Sequence, residues 1–450
     1  MVKKRKKWYQ NKLLITACSL IASTLLGFLV TYGFAIRNEN INRSRIETNI
    51  NYAESLINQN APEDALKKIQ ELLTTVSKET EPKLYARIKL DEGQTFFIMA
   101  YSKEQELNLK KAISAYKEAL QIFTLKKYPE DYARTQSFMA NAFFGMSDIR
   151  NKEENLNYAI NANLEALKVY KPDKNPEQYA RVSLNLGVDY GNLAKIGDQE
   201  KNLKKAIDLF NNALGFFNEK EYPAAFATVN LNMANAYQAL SEILDKEENL
   251  LKAITVNEKA LEIFTVESYP LDYATVQLNL GIALESLSSI KDMETNLQKA
   301  ITAYENAIGI FTLNDYPSDY AAILSNLAYA YLSLSEISSQ ESNLKKVGEA
   351  YAEALKVFTV EDYPTKYAST QIGVGDYYLR LSKVKDAEVN IKNAIKAYGE
   401  ALKIFTIEKY PGDYAIIQNA LSGAYTQLAQ ISDREENLSK AQQAKDEAEN

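Results

Sequence analysis

Apolar residues return at steps of three and four through two stretches of every unit of this chain, and a short polar gap parts the stretches. In the unit from Pro270 to Tyr316, Tyr273, Val276, Leu280, Ala283, Leu284 and Leu287 share one helical face, which Ser288-Ser-Ile-Lys-Asp292 interrupts. Leu297, Ala300, Ile301, Tyr304, Ala307, Ile308 and Phe311 mark a second helix, which fades at Thr312-Leu-Asn-Asp before Tyr316-Pro317. Pro270 suits a first helical turn, where its missing N–H is harmless, and Asp272 suits the positive end of the helix dipole. Asp292 is expected to cap the second helix, as are its equivalents Asn151, Asp198, Asp245, Ser339, Asp386 and Asp433. Asp245-Lys-Glu-Glu248 and Asp433-Arg-Glu-Glu436 have capping-box spacing. Each unit therefore reads as two antiparallel helices, A and B, of about 18–20 residues.

The units repeat. Pro82, Pro129, Pro176, Pro223, Pro270, Pro317, Pro364 and Pro411 each follow the last by 47 residues, and Asn108, Asn155, Asn202, Asn249, Asn296, Asn343, Asn390 and Asn437 keep the same step. A fixed period of this size marks a solenoid, in which stacked helix pairs bury the apolar faces that none could bury alone. The expected repeats are 82–128, 129–175, 176–222, 223–269, 270–316, 317–363, 364–410 and a truncated 411–450, after a weaker capping pair in 46–81. The asparagines read as buried side chains bonding a neighbouring helix end. Tyr85 and its equivalents read as packing between repeats. The small residues Gly93, Ala140, Gly187, Ala234, Gly281, Ala328, Gly375 and Ser422 read as points of close helix approach. Gly373-Val-Gly375 lacks the third glycine of a dinucleotide fingerprint and falls in mid-helix.

The unit resembles a tetratricopeptide repeat. Leu280-Gly281 is similar to that family's helix-A pair, Ala300-x3-Tyr304-x2-Ala307 to its helix-B spacing, and Pro317 to its closing proline; Leu186-Gly187 with Ala206, Phe210 and Ala213 agrees, as does Leu327-Ala328 with Tyr351 and Ala354. The unit is longer than the family's 34 residues and lacks its opening Trp, so the chain reads as a long-unit variant of membrane-anchored bacterial type. The resemblance implies an all-α fold, a right-handed α-α superhelix, with helix A lining the concave surface. On that implication the candidate partner-binding residues are Gln94, Phe97, Asn141, Phe144, Asn235, Tyr329, Leu332, Asp376 and Leu379. Tyr329, Leu332 and Leu379 are the expected groove for an apolar peptide or helix, and Phe97 with Phe144 is the next candidate. The competing reading is that all five pack on adjacent helices. No basic clamp of Lys, Asn and Arg for a peptide carboxylate is present.

Composition then narrows the function. There is no histidine, and the one cysteine is Cys18. No His-based triad, Cys nucleophile, common zinc site or disulfide framework can be assembled, so no enzyme activity and no cofactor is expected. Net charge is −7, and residues 1–12 hold six cations and no acid, which leaves the remainder more acidic still. An acidic body repels phosphate backbones, so nucleic acid is not an expected partner.

Residues 13–36 carry no charge and would span about 36 Å as a helix at about 1.5 Å per residue. They read as a transmembrane anchor between a basic cytoplasmic tail, 1–12, and a tether, 37–45. The charge bias would place the repeats outside the cytoplasmic membrane. Gly33-Phe-Ala35 offers a competing signal-cleavage site, and Ile15-Thr-Ala-Cys18 a competing lipobox. Ser19, Ser23 and Gly27 form a small-residue face within the span. The expected function is a membrane-anchored, non-catalytic scaffold for protein or peptide partners. The alternatives are a sensor or assembly module that self-associates as a homo-oligomer, and a secreted or lipid-anchored peptide- or glycan-binding protein.

Overall fold

Each repeating proline opens a helix in the structure, a computed structural model that describes residues 41–449. Those residues form eighteen α-helices and no strand. The chain divides into two compact units between Leu244 and Asp245. The first holds α1 (Ile41–Asn58), α2 (Pro62–Leu73), α3 (Pro82–Met99), α4 (Gln105–Leu120), α5 (Pro129–Ser147), α6 (Lys152–Ala166), α7 (Pro176–Leu193), α8 (Gln199–Leu214) and α9 (Pro223–Ser241). The second holds α10 (Lys246–Leu261), α11 (Pro270–Ser288), α12 (Met293–Ile308), α13 (Pro317–Leu334), α14 (Gln340–Val357), α15 (Pro364–Leu381), α16 (Ala387–Leu402), α17 (Pro411–Leu428) and α18 (Arg434–Glu449). Within each unit a proline-opened helix packs on the helix after it, and that one on the next, so paired neighbours form a solenoid-like repeat.

The two kinds of turn are built differently. At the B-to-A turn the residue before proline is held out of the helical region, as at Tyr316 with φ −135° and ψ 56°, because proline disfavours that region for its predecessor. The ring of that residue then meets, edge to face, an aromatic three residues past the end of the preceding helix: Phe311 and Tyr316 lie 5.4 Å apart at 79°, and Phe405 and Tyr410 5.1 Å apart at 79°. Such a pair adds about 0.5–1.5 kcal/mol beyond the area it buries.

The A-to-B turn departs from the expected caps. Asn151, Asp198, Asp245, Asp292, Ser339 and Asp386 stand before their helices, but none makes a side-chain capping bond. These six and Asp433 are all left-handed, with φ between 44° and 47°, as is Glu104 in the first repeat at 43°. Asp and Asn suit that backbone because their short polar side chains tolerate it better than other residues do. The turn is held instead by the repeating asparagine. Its amide donates to the carbonyl five residues back, as Asn108 Nδ2 to Lys103 O at 2.9 Å, Asn296 Nδ2 to Lys291 O at 2.9 Å and Asn390 Nδ2 to Lys385 O at 2.7 Å. The asparagine reading thus holds, the helix end being that of the pair's own first helix. Replacing Asp292 by glycine should relieve the left-handed strain and raise stability by about 0.5–1 kcal/mol, read as a higher denaturation midpoint; an unchanged or lower midpoint would refute the strain.

Helix A and helix B meet through a size match. A Cβ added at Gly93, Gly187, Gly281 or Gly375 would lie 2.3–2.6 Å from a ring atom of Tyr116, Phe210, Tyr304 or Tyr398 respectively. Those rings are almost wholly buried. In the second repeat, where helix B carries Asn163 at the ring position, helix A carries Ala140. The rule breaks in the sixth repeat, where Ala328 precedes Tyr351; that hydroxyl instead leans on Gly373, 2.3 Å from where a Cβ would be. Both glycines of Gly373-Val-Gly375 are therefore tyrosine notches. The repeating tyrosine three residues after proline does two jobs. Tyr179 packs against a cluster that includes Ala133 and Ala166 of the preceding repeat, while the Tyr85 and Tyr132 hydroxyls donate to Glu118 and Glu165 of their own repeats, both at 2.7 Å.

The expected placement as a single-pass protein of the cell membrane, with its N-terminus cytoplasmic and its repeats extracytoplasmic, is corrected here. Among the described residues no helix is long and apolar enough to cross a membrane. The physical reason is that these helices are amphipathic: their apolar positions face one another across the pairs and polar residues cover the rest. The segment 13–36 on which that placement rested lies outside the described residues.

Candidate partner-binding face

In the first unit the face between α3 and α9 is mostly amide and aromatic. Gln94 is buried, and Phe97 is half-buried, edge-on to Tyr101 at 5.2 Å and 87°. Phe144 is half-buried against the core that also takes Phe143 and Met146. Asn141 is partly exposed and accepts a hydrogen bond from Asn185 Nδ2 at 3.1 Å, which ties α5 to α7. Asn235 is exposed on α9. Gly191 faces open space, where an added Cβ would meet nothing.

Beneath this face lies a buried carboxyl. Asp189 on α7 is 2% exposed and accepts from Asn163 Nδ2 of α6 at 2.8 Å. Burial pushes its pKa up to about 8, against the lowering by the asparagine bond. Asn163 Oδ1, also buried, has no other partner. A neutral Asp189 can donate its acid proton there, closing a two-bond acid–amide pair.

In the second unit the face runs across α11, α13 and α15, and here the structure brings several groups together. Tyr329 of α13 is 51% exposed, whereas Leu332, one turn on, is 7% exposed and belongs to the core. Leu379 is half-buried against Ala424 and Leu428 of α17. Asp376 of α15 is exposed and accepts from the Tyr398 hydroxyl at 2.5 Å. Glu285 of α11 accepts from the Tyr304 hydroxyl at 2.8 Å. Burial lifts Glu285 to about 7, and desolvation of the carboxyl end of Asp376, although that residue as a whole is exposed, raises it as well. Burial, then Glu285 and Asp376, raise Tyr329; burial, then the same two carboxyls, raise Tyr351. Glu285, Tyr329 and Asp376 come from three helix-A segments packed in succession, although Glu285 and Asp376 are 91 residues apart in sequence.

The structure also shows groups that the sequence reading passed over. Glu285 holds, one repeat earlier, the position of the candidate Leu332, and Asp189 lies one residue beyond the equivalent of the candidate Asn141; neither is among the expected residues. Asn185, Asn232, Asn279 and Asn326, nine residues after their prolines, are all partly exposed in mid-helix. Their signal was present: four successive asparagines at the repeat step, away from any cap. A cleft of about 1110 Å³ opens between α14 and α15, lined by Leu344, Gly348, Tyr377, Tyr378 and Leu381 among others. Gly348 replaces an isoleucine that other repeats keep, as at Ile301 and Ile395, and the Tyr377 hydroxyl lies 2.8 Å from where its Cβ would be.

No family model matches the chain, and no curated protein matches it in sequence. Among solved structures it is similar to the apo form of RapI, at 15% identity and TM-score 0.53, over 90% of this chain and 96% of that one. It is also similar to the apo quorum sensor NprR from B. thuringiensis (14% identity, TM-score 0.43, 79% and 98% coverage). A third likeness is to a Rap protein complexed with Competence and Sporulation Factor (13% identity, TM-score 0.43, 90% and 98% coverage). The likeness to RapI shows the fold, a helical repeat, and the fold alone.

Proposed function

We propose that this chain is a non-catalytic interaction scaffold that holds a protein or peptide segment against its helix-A face. Its repeats are tetratricopeptide-like units of a long variety. The observation that carries the reading is Tyr329. It stands half exposed in a line of helix positions where the next turn is core, and it is flanked by hydrogen-bonding groups from the repeats on either side. Arrays bind through extended surfaces of this kind. A large amphipathic ring with a polar tip is a common anchor of a binding surface.

The test is a crosslinking capture with the full chain as bait, repeated with Tyr329→Ala. Truncating an anchoring aromatic should weaken the captured partner at least tenfold, by about 1.4 kcal/mol or more. Equal capture by both baits, with unchanged thermal unfolding, would place the binding elsewhere.

A further inference from the structure

The second unit's helix-A face carries more than a general binding reading requires, and the following rests on that reading. Tyr329, 51% exposed, stands on α13 between two packed helices that each carry a carboxyl on the same side: Asp376 holds the equivalent position one repeat on, and Glu285 the position one turn beyond it one repeat back. Neither carboxyl makes a salt bridge among the described residues; each accepts only a tyrosine hydroxyl. The contrast with the outer surface is sharp, where acids are met by lysines, as Glu248 by Lys252 at 2.6 Å and Glu388 by Lys392 at 2.7 Å. Arg380, one residue beyond Leu379 on α15, is engaged by Glu336. Gly373 adds to the arrangement. Four other repeats place an asparagine there, and its missing side chain lets the Tyr351 hydroxyl approach the same face.

We propose that this face selects a peptide segment by a lysine or arginine side chain, seated against the Tyr329 ring with its cation between Glu285 and Asp376. The chemistry is complementary at each point. A cation is attracted to the face of a tyrosine ring and to an unpaired carboxylate, and a half-buried site screens neither strongly. The aliphatic stem of such a side chain covers apolar surface while its charged head reaches the acids. An acidic or neutral side chain at that point would leave two carboxyls without a counter-charge. Binding also sets a proton balance. Glu285 sits near 7 because burial penalises its charge, so a seated cation draws it into the ionised form and releases a proton. Affinity for the cationic segment therefore rises as pH passes through about 7.

The experiment uses the full chain and three labelled peptides of one apolar sequence, differing only in a central lysine, norleucine or glutamate. Fluorescence anisotropy at pH 6 and pH 8 is the readout. The lysine peptide is expected to bind about tenfold tighter than the glutamate peptide at pH 8, with a smaller ratio at pH 6. The Glu285→Gln, Asp376→Asn double variant should lose that preference yet keep norleucine binding, which shows that it still folds. Equal affinity for all three peptides, still weakened by Tyr329→Ala, overturns the cation preference and leaves the binding face standing. A preference for glutamate overturns it too. Failure of every peptide to bind overturns both readings.

Discussion

Gly281→Ala is expected to destabilise the chain by about 1–3 kcal/mol, against the usual sign of that exchange inside a helix. Alanine is normally the better helix former by up to about 1 kcal/mol, since glycine gives up more backbone freedom on folding. Here the added methyl would stand 2.5 Å from Cε1 of Tyr304, whose ring is fully buried and whose hydroxyl is held by Glu285. The ring cannot step aside without opening that bond or pressing on the next repeat. Gly191→Ala supplies the control: its methyl meets nothing, so propensity alone should act and stability should rise. Denaturation followed by circular dichroism, with hydrogen exchange of the α11 and α12 amides, would report both. A stabilising or neutral Gly281→Ala would show that the tyrosine is not locked, and the size match between helices would lose its main support.

The second large effect concerns pH. The first unit should lose stability as pH rises from about 4 to about 8, at up to about 1.4 kcal/mol per pH unit from Asp189 alone. The sign follows from the direction of the shift. The folded-state pKa of Asp189 is raised to about 8, above its ordinary value, so the folded chain keeps a proton that the unfolded chain has released. That contribution is fully present below the ordinary carboxylate pKa and is lost as pH climbs through 8. Asp189→Asn replaces the acid by an amide that can pair with Asn163 through both its groups at any pH. It should flatten the slope and stabilise the chain at pH 8 by on the order of 2–4 kcal/mol. The comparison is between the two proteins, because Glu285 and the other buried acids titrate in both. Parallel pH profiles would mean that Asp189 is not held as the neutral acid.

Some departures from expectation have a common cause. The turn residues before helix B are Asp, Asn or Ser in seven copies, which fits a cap and a left-handed turn equally well, and only the backbone angle separates the two. Leu332 and Tyr329 both lie on the side of helix A assigned to the groove, yet one is core and the other exposed. Which of them is covered depends on how far the neighbouring helix rotates, and helical periodicity does not carry that angle. Glu285, Tyr329 and Asp376 come to one face only because the helices that carry them stack on one another, from positions about two repeats apart at the extremes. The glycine notches lie between these cases. The alternation of Gly with Tyr or Phe and of Ala with Asn is written in the repeats, but its reason, a ring within 2.6 Å of a missing Cβ, is spatial.

The order of apolar and polar residues by itself determined the helix pairs, their opening prolines, the 47-residue step and the asparagine that ties each turn. These depend on contacts within about one repeat, so they are legible along the chain. The tertiary structure alone decided which inner-face residues remain open, which carboxyls are deprived of water and which hydroxyls meet them. Burial and charge proximity arise between repeats, where spacing along the backbone no longer measures distance.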